Sequence, residues 1–177
     1  ACTGEILIGL VTNGNRPEGT RFLAGKLLDM LKRSRIPLQI AGIIQNVNTR
    51  KTNVVLGQTE YTWWGRNFLK ERLGEFSFHL GLSTFFQVNP YQTPRLYNTV
   101  ADAIPQGVRV IDVYCGVGSI TLWIAHKCSE VLGIEENPVS IKAAKAAAAA
   151  NKVRNVHFVH GDAADLVAAE VGKGFQV

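Results

Sequence analysis

The stretch Val108-Arg-Val-Ile-Asp-Val-Tyr-Cys-Gly-Val-Gly-Ser119 decides how this chain is read. Val108 to Val113 is a β-branched run of the length of a buried parallel strand. It breaks on Gly116 and Gly118, and Ile120 to His126 then resumes as a helix. The unit is therefore strand, glycine turn, helix. Glycines at such a turn let the backbone bend sharply and approach a ligand closely, and the free N–H groups at the start of the next helix offer donors to it. The third glycine of a dinucleotide fingerprint should fall at position 121, which is Thr121, so a nicotinamide or flavin ligand is disfavoured.

The next strand supplies the second half of the argument. Glu130 to Ile134 is apolar enough to be buried and ends at Glu135, 19 residues after Gly116. An acidic residue at that distance, at the carboxyl end of the second strand, is placed to accept hydrogen bonds from ribose hydroxyls. Two glycines and a ligand lacking pyrophosphate fit S-adenosylmethionine better than NAD. The bland alternative is a plain turn with Glu135 as a solvated cap.

At 177 residues with 46% apolar content, the chain is long enough for one large domain or two small ones with a real core. It has no run of 18 apolar residues and no basic-then-apolar start, so a cytoplasmic globular protein without membrane contact is expected. Cys2, Cys115 and Cys128 are odd in number and lack metal-ligand spacing, so reduced, mostly buried thiols and no metal site are expected. The formal charge of +5 is uneven: residues 1–85 hold 11 Lys and Arg against 6 Asp and Glu, and residues 86–177 hold 8 of each. A basic half beside a neutral cofactor half suits a nucleic-acid substrate, because cations replace counterions along a phosphate backbone; ordinary solvated surface accounts for the same excess.

The chain opens as β-α-β. Residues 5–12 read as a strand, Asn13 to Pro17 as a turn, and Leu23, Leu27, Met30 and Leu31 as the apolar stripe of a helix, before a strand from Ile36 to Ile44. Lys32, Arg33 and Arg35 at the helix end either complement its dipole or touch phosphate. Gln45 to Asn53 is rich in amides and carries Arg50 and Lys51 at its centre. As a hairpin connection to Val54-Val55-Leu56 it needs only turn-forming Asn; as a binding loop it offers amides and cations to bases and phosphates. Of Trp63 and Trp64, one is expected in the core and one as an exposed stacking surface.

Glu75 to Leu80 alternates as a half-buried strand with His79 toward solvent. In Ser83 to Arg95, Gln87 and Asn89 interrupt an aromatic strand. Thr93 then caps a helix whose first residue is Pro94 and whose apolar face is Leu96, Val100, Ala103 and Ile104. Asn137 before Pro138 reads as the cap of a helix over 139–151.

Phe85-Phe-Gln-Val-Asn-Pro-Tyr-Gln-Thr, followed by Asp112-Val-Tyr-Cys-Gly-Val-Gly-Ser, Gly133-Ile-Glu and Gly161-Asp-Ala, resembles the RNA uracil-5-methyltransferase family, which makes 5-methyluridine in ribosomal and transfer RNA. The glycine and Gly-Ile-Glu pieces alone fit many S-adenosylmethionine enzymes; the Phe-Gln-Val-Asn block upstream narrows the choice. The resemblance implies an α/β fold with a central α/β domain over 1–82, possessing RNA contacts, and the first half of a Rossmann-like methyltransferase domain over 83–177. It implies S-adenosylmethionine contacts from Gln87, Tyr114, Gly116, Gly118, Ser119, Glu135 and Asp162, with Glu135 on the ribose and Asp162 near the adenine. Phe85 is implied near the target uracil, with Arg50 and Lys51 on the RNA.

In that family a cysteine thiolate adds to uracil C6, C5 attacks the sulfonium methyl, and a general base removes the C5 proton. The matching Asp-Pro-Pro-Arg segment, nucleophilic cysteine and glutamate base are expected beyond Val177, and neither Cys115 nor Cys128 is assigned as nucleophile. A fragment is expected, inactive alone, whose first methyltransferase strand lacks its fourth-strand neighbour and self-associates through that edge. Two other functions stand beside this one: methylation of a different acceptor, and RNA binding without catalysis.

Overall fold

A computed structural model describes residues 3–14, 17–33 and 37–176. Cys2, Arg35, Ile36 and the centre of the expected 13–17 turn lie outside the described residues. The chain divides into two compact units. The first comprises the described residues of 3–70 with 81–83, and the second comprises 71–80 with 84–176.

The first unit opens with the expected β-α-β. Strand β1 (Glu5–Thr12) runs parallel to β2 (Gln39–Val47) across helix α1 (Thr20–Arg33), and β3 (Thr59–Gly65) pairs antiparallel on the far side of β2. The stripe of α1 that meets the sheet is rotated from the expected one. Thr20 and Ala24 are buried and Leu27 and Leu28 pack against Ile43 and Trp63, whereas Leu23 and Met30 face solvent. Ala24 decides this, because a methyl side chain lets the helix backbone settle close to the strands.

Strand β2 runs past the expected end at Ile44, through Gln45 and Asn46, which are fully buried. Buried amides are tolerated only when their hydrogen bonds are made, and here they are. Gln45 Nε2 donates to Thr12 Oγ1 at 2.7 Å, and Gln45 Oε1 accepts from Trp63 Nε1 at 3.2 Å. Asn46 Oδ1 accepts Gly57 N–H at 2.6 Å while Asn46 Nδ2 donates to Gly57 O at 3.0 Å and Glu60 Oε1 at 3.3 Å. Asn46→Ala strands the Gly57 amide and should destabilise the protein by about 1–3 kcal/mol. A urea titration reads this, and an unchanged midpoint would show that the amide pair adds nothing net. The Gln45 bond also settles the tryptophans: Trp63 is 8% exposed and Trp64 43%.

From Glu71 the second unit takes in most of a hairpin of β4 (Leu69–Leu73), which periodicity did not reveal, and β5 (Phe76–Leu80). Strand β5 shows the expected alternation, with Phe78 and Leu80 buried and His79 exposed. The division read at residue 82 placed this strand with the first unit. Instead it packs on helix α4 (Pro138–Ala150), where the Asn151 side chain accepts Ser77 N–H at 2.9 Å and donates to Ser77 O at 2.8 Å.

Residues 84–92 form a loop in place of the expected aromatic strand. Asn89 is the reason: its Oδ1 accepts the N–H groups of Tyr91 and Gln92 at 3.1 and 3.0 Å, bending the chain into helix α2 (Thr93–Ala103). Thr93 does not cap α2. It is the first helical residue, and its hydroxyl donates to Asn89 O at 2.6 Å.

Strands β6 (Arg109–Val113), β7 (Glu130–Glu135) and β8 (Val156–His160) are parallel in that order, alternating with α3 (Ser119–Ile124), α4 and α5 (Ala163–Val171). Ile111, Leu132 and Ile134 bury one face against Ala163 of α5 and Phe175. The free side of β6 is not bare as expected. Gln176 forms a parallel bridge to Val110, with Ile111 N–H donating to Gln176 O at 2.6 Å and Gln176 N–H to Arg109 O at 2.8 Å. The Arg109 guanidinium lies 3.9 Å from the Phe175 ring centre and holds this turn in place.

Candidate functional site

The sheet order fixes where a ligand site belongs. From β6 the chain moves through β7 to β8 and then returns to the other side of β6 at Gln176. The strand order thus reverses at β6, and in open parallel sheets the crevice beyond the carboxyl ends of the strands at such a switch point is the binding place. Tyr114, Gly116 and Gly118 follow β6, Glu135 closes β7, and Asp162 follows β8. The topology therefore brings five of the expected cofactor residues to one edge of the second unit.

Glu135 is the hinge of this edge. Its Oε2 accepts Gly116 N–H at 3.0 Å and its Oε1 accepts Asn137 N–H at 2.8 Å. Each oxygen takes one donor, so each keeps a lone pair for a further hydroxyl. Asn137 caps α4 as expected, accepting from Val139 and Ser140. Tyr114 holds a left-handed backbone at φ 59° and its side chain is 69% exposed; such a conformation costs a non-glycine residue energy and concentrates at functional turns. Asp162 caps α5 through Oδ1, which accepts Ala164 N–H at 2.8 Å.

Two further expected residues lie on the elements beside this edge. Ser119 is buried and its hydroxyl lies 2.8 Å from the Tyr97 hydroxyl, so it ties α3 to α2. Gln87 sits half-buried in the loop that leads into α2. The expected donors of the helix start are also reduced: α3 has six residues, and the Gly116 amide is taken by Glu135.

Arg50 and Lys51 lie in the first unit, exposed on a loop that Asn48 closes by donating to Val54 O at 2.7 Å and Val55 O at 3.0 Å and accepting Arg50 N–H at 3.0 Å. The amides of this stretch thus hold the loop's shape, and the two cations are what it displays. Phe85 is 71% exposed.

Cys115 and Cys128 are free and buried. Burial, reinforced by the carboxylates of Asp112 and Glu135, pushes the Cys115 thiol far above its ordinary range, and burial raises Cys128 as well. Neither is poised as a thiolate, in line with the sequence reading. Among the described residues no group of three metal-ligating side chains occurs, and no helix is long and apolar enough to cross a membrane.

The sequence reading assigned no role to the side chains of Asp112 and Thr121. Thr121 Oγ1 donates to Asp112 Oδ2 at 2.5 Å. Burial pushes the Asp112 carboxyl up to about 6, opposed by its bonds from Thr121 and reinforced by the Glu135 charge. Because the native value is raised, the stability this group contributes is full below the ordinary Asp range and is lost as pH rises through about 6. One polar residue within Val-Ile-Asp-Val was the signal available in the sequence.

The sheet and its switch point are Rossmann-like, and residues 104–176 match the family model of a methyltransferase domain. An uncharacterized RNA methyltransferase of Leptospira interrogans is 43% identical over 99% of this chain and 46% of its own length. The chain therefore spans less than half of that curated relative. The tRNA (uracil-54, C5)-methyltransferase of Pyrococcus abyssi, solved with S-adenosyl-L-homocysteine, superposes with a TM-score of 0.66 and 26% identity over 89% of this chain and 36% of that one. The tRNA m1G37 methyltransferase of Methanocaldococcus jannaschii shares the fold, with a TM-score of 0.53 and 18% identity over 88% of this chain and 44% of its own.

Proposed function

We propose that this chain is part of an S-adenosylmethionine-dependent RNA methyltransferase that methylates C5 of a uridine in ribosomal or transfer RNA. The observation that carries the donor half is Glu135 spanning the ends of β6 and β7 with an unused lone pair on each oxygen. The uridine half is supported by the likeness to the Pyrococcus uracil enzyme and by the Phe85-Phe-Gln-Val-Asn block.

The residues fit the cofactor. A side chain at Gly116 would meet nothing within 4 Å, so that face of the turn is open to a ligand. In this reading Glu135 accepts the ribose hydroxyls and Asp162 faces the adenine. Tyr114 and Gln87 line the remainder, with Gly118 keeping the turn tight. When bound, S-adenosylmethionine supplies an electrophilic sulfonium methyl group. Phe85 offers a face for the target base, and Arg50 and Lys51 neutralise backbone phosphate.

The acceptor is tested by RNA binding as a function of salt. The affinity of uridine-containing RNA should fall linearly on a log–log plot, and the Arg50→Ala, Lys51→Ala double variant should flatten that slope by about 1.5 to 2. Salt-independent or absent RNA binding favours a small-molecule acceptor, and RNA binding without S-adenosylhomocysteine binding favours a non-catalytic module. The methylated atom is read from nucleosides of RNA treated with the full-length Leptospira relative: 5-methyluridine is expected, and 1-methylguanosine would overturn the uridine assignment.

A further inference from the structure

Asp112 places a carboxylate on a strand whose neighbours Val110, Ile111 and Val113 are apolar, and Thr121, nine residues on, is 0% exposed. Their 2.5 Å hydrogen bond closes the turn between them from inside the protein. At the middle of that turn, the Gly116 amide reaches Glu135. We propose that Asp112 and Thr121 are positioning residues for the methyl donor, their hydrogen bond holding the Tyr114–Gly118 turn so that Gly116 N–H meets Glu135 and the open face of Gly116 meets the ligand. This rests on the donor-site reading above.

A purely structural role explains the pair poorly. Two apolar side chains of similar shape at these positions would hold strand and helix together at least as well, without taking a carboxylate partly out of water beside a second one. The expense is understandable where geometry matters more than stability. The neighbouring link between Tyr97 and Ser119 joins α3 to α2, and backbone bonds from Cys115 N–H to Ile134 O at 3.0 Å and from Gly118 N–H to Cys115 O at 2.9 Å pin the turn locally; the Asp112–Thr121 bond adds the side-chain tie from β6 to α3 across it.

The ionised carboxylate is the stronger acceptor for the Thr121 hydroxyl. Burial and the Glu135 charge bring the Asp112 carboxyl up to about 6, so the latch should slacken as pH falls through that value. The titratable groups facing Asp112 are Glu135 from β7, Cys115 from the turn and Tyr97 from α2. Of these, Glu135 is itself a ligand contact, so the comparison must be made against a variant in which Glu135 is intact.

The experiment is calorimetric titration of the whole chain with S-adenosylhomocysteine between about pH 5 and pH 7.5, paired with amide hydrogen exchange of residues 114–120 without ligand. Wild-type affinity should rise with pH, and Asp112→Asn should bind roughly five- to tenfold more weakly at the upper pH, the equivalent of one hydrogen bond, with a flatter profile. Thr121→Val should match it and Thr121→Ser should restore it. In the ligand-free chain, Thr121→Val should speed exchange at Gly116 while leaving β7 and β8 protected. Wild-type affinity and pH profile in Asp112→Asn would overturn the latch, as would unchanged Gly116 exchange in Thr121→Val. If the folded chain takes up no S-adenosylhomocysteine at any pH, the donor-site reading fails and the claim that these residues position a donor falls with it; exchange at Gly116 then still shows whether the pair fastens the turn.

Discussion

Glu135→Ala is expected to weaken S-adenosylhomocysteine binding by one to two orders of magnitude, about 1.5–3 kcal/mol, the range for hydrogen bonds to a charged group. The loss has two sources that a second variant separates. Alanine removes the acceptor for the ribose hydroxyls and also orphans the Gly116 and Asn137 amides, which the carboxylate holds at 3.0 and 2.8 Å. Glutamine has the same shape but only one acceptor oxygen; its amide nitrogen must face one of those two N–H groups, donor against donor. Glu135→Gln should therefore also bind weakly, and its melting temperature should drop although no volume is lost. Calorimetry with a thermal scan of each variant checks both statements. Wild-type affinity in Glu135→Ala would remove the ribose-binding role and with it the main support for the donor site.

How much of this was legible in the sequence depended on whether the determining interaction was local. The strand, glycine turn and strand of the second unit were readable because β-branched runs, turn glycines and an acidic strand end are consecutive signals; β6 and β7 appear within a residue or so of their expected bounds. Asn137 capping α4 was readable for the same reason. What escaped depended on partners far along the chain. Gln45 and Asn46 looked like loop amides because their partners Thr12, Trp63, Gly57 and Glu60 lie 11 to 33 residues away. Strand β4, Leu-Lys-Glu-Arg-Leu, is mostly charged and needs β5 beside it to exist as a strand. Ser119 matched a family contact position, yet its hydroxyl turns inward because Tyr97, 22 residues earlier, is buried beneath it. Thr121 registered only as an absent glycine, since nothing local tells that its hydroxyl meets Asp112.

Gly116 and Gly118 look equivalent in sequence but should fail in different ways when substituted. Gly118 has φ 75°, and a Cβ there would lie 2.7 Å from the Phe158 ring and 3.2 Å from the Ala144 Cβ. Phe158 is 7% exposed and packed, so it has nowhere to go. Gly118→Ala should combine left-handed strain of ~1–2 kcal/mol with overpacking of ~1–3 kcal/mol. Together these predict a melting temperature lower by roughly 5 to 15 °C for a chain of this size. Gly116 has φ 57° but open space around its missing Cβ. Gly116→Ala should cost only the backbone strain of ~1–2 kcal/mol, while its methyl group projects where the ligand is expected to pass. Its S-adenosylhomocysteine affinity should fall by about tenfold or more, the effect of a methyl clash in a close-fitting site. Thermal scans and calorimetry on the two variants thus give crossed results: the larger stability loss at Gly118 and, relative to stability, the larger affinity loss at Gly116. If Gly116→Ala binds like the wild type, the ligand does not approach that face of the turn, and the donor would have to lie along Tyr114 and Glu135 alone.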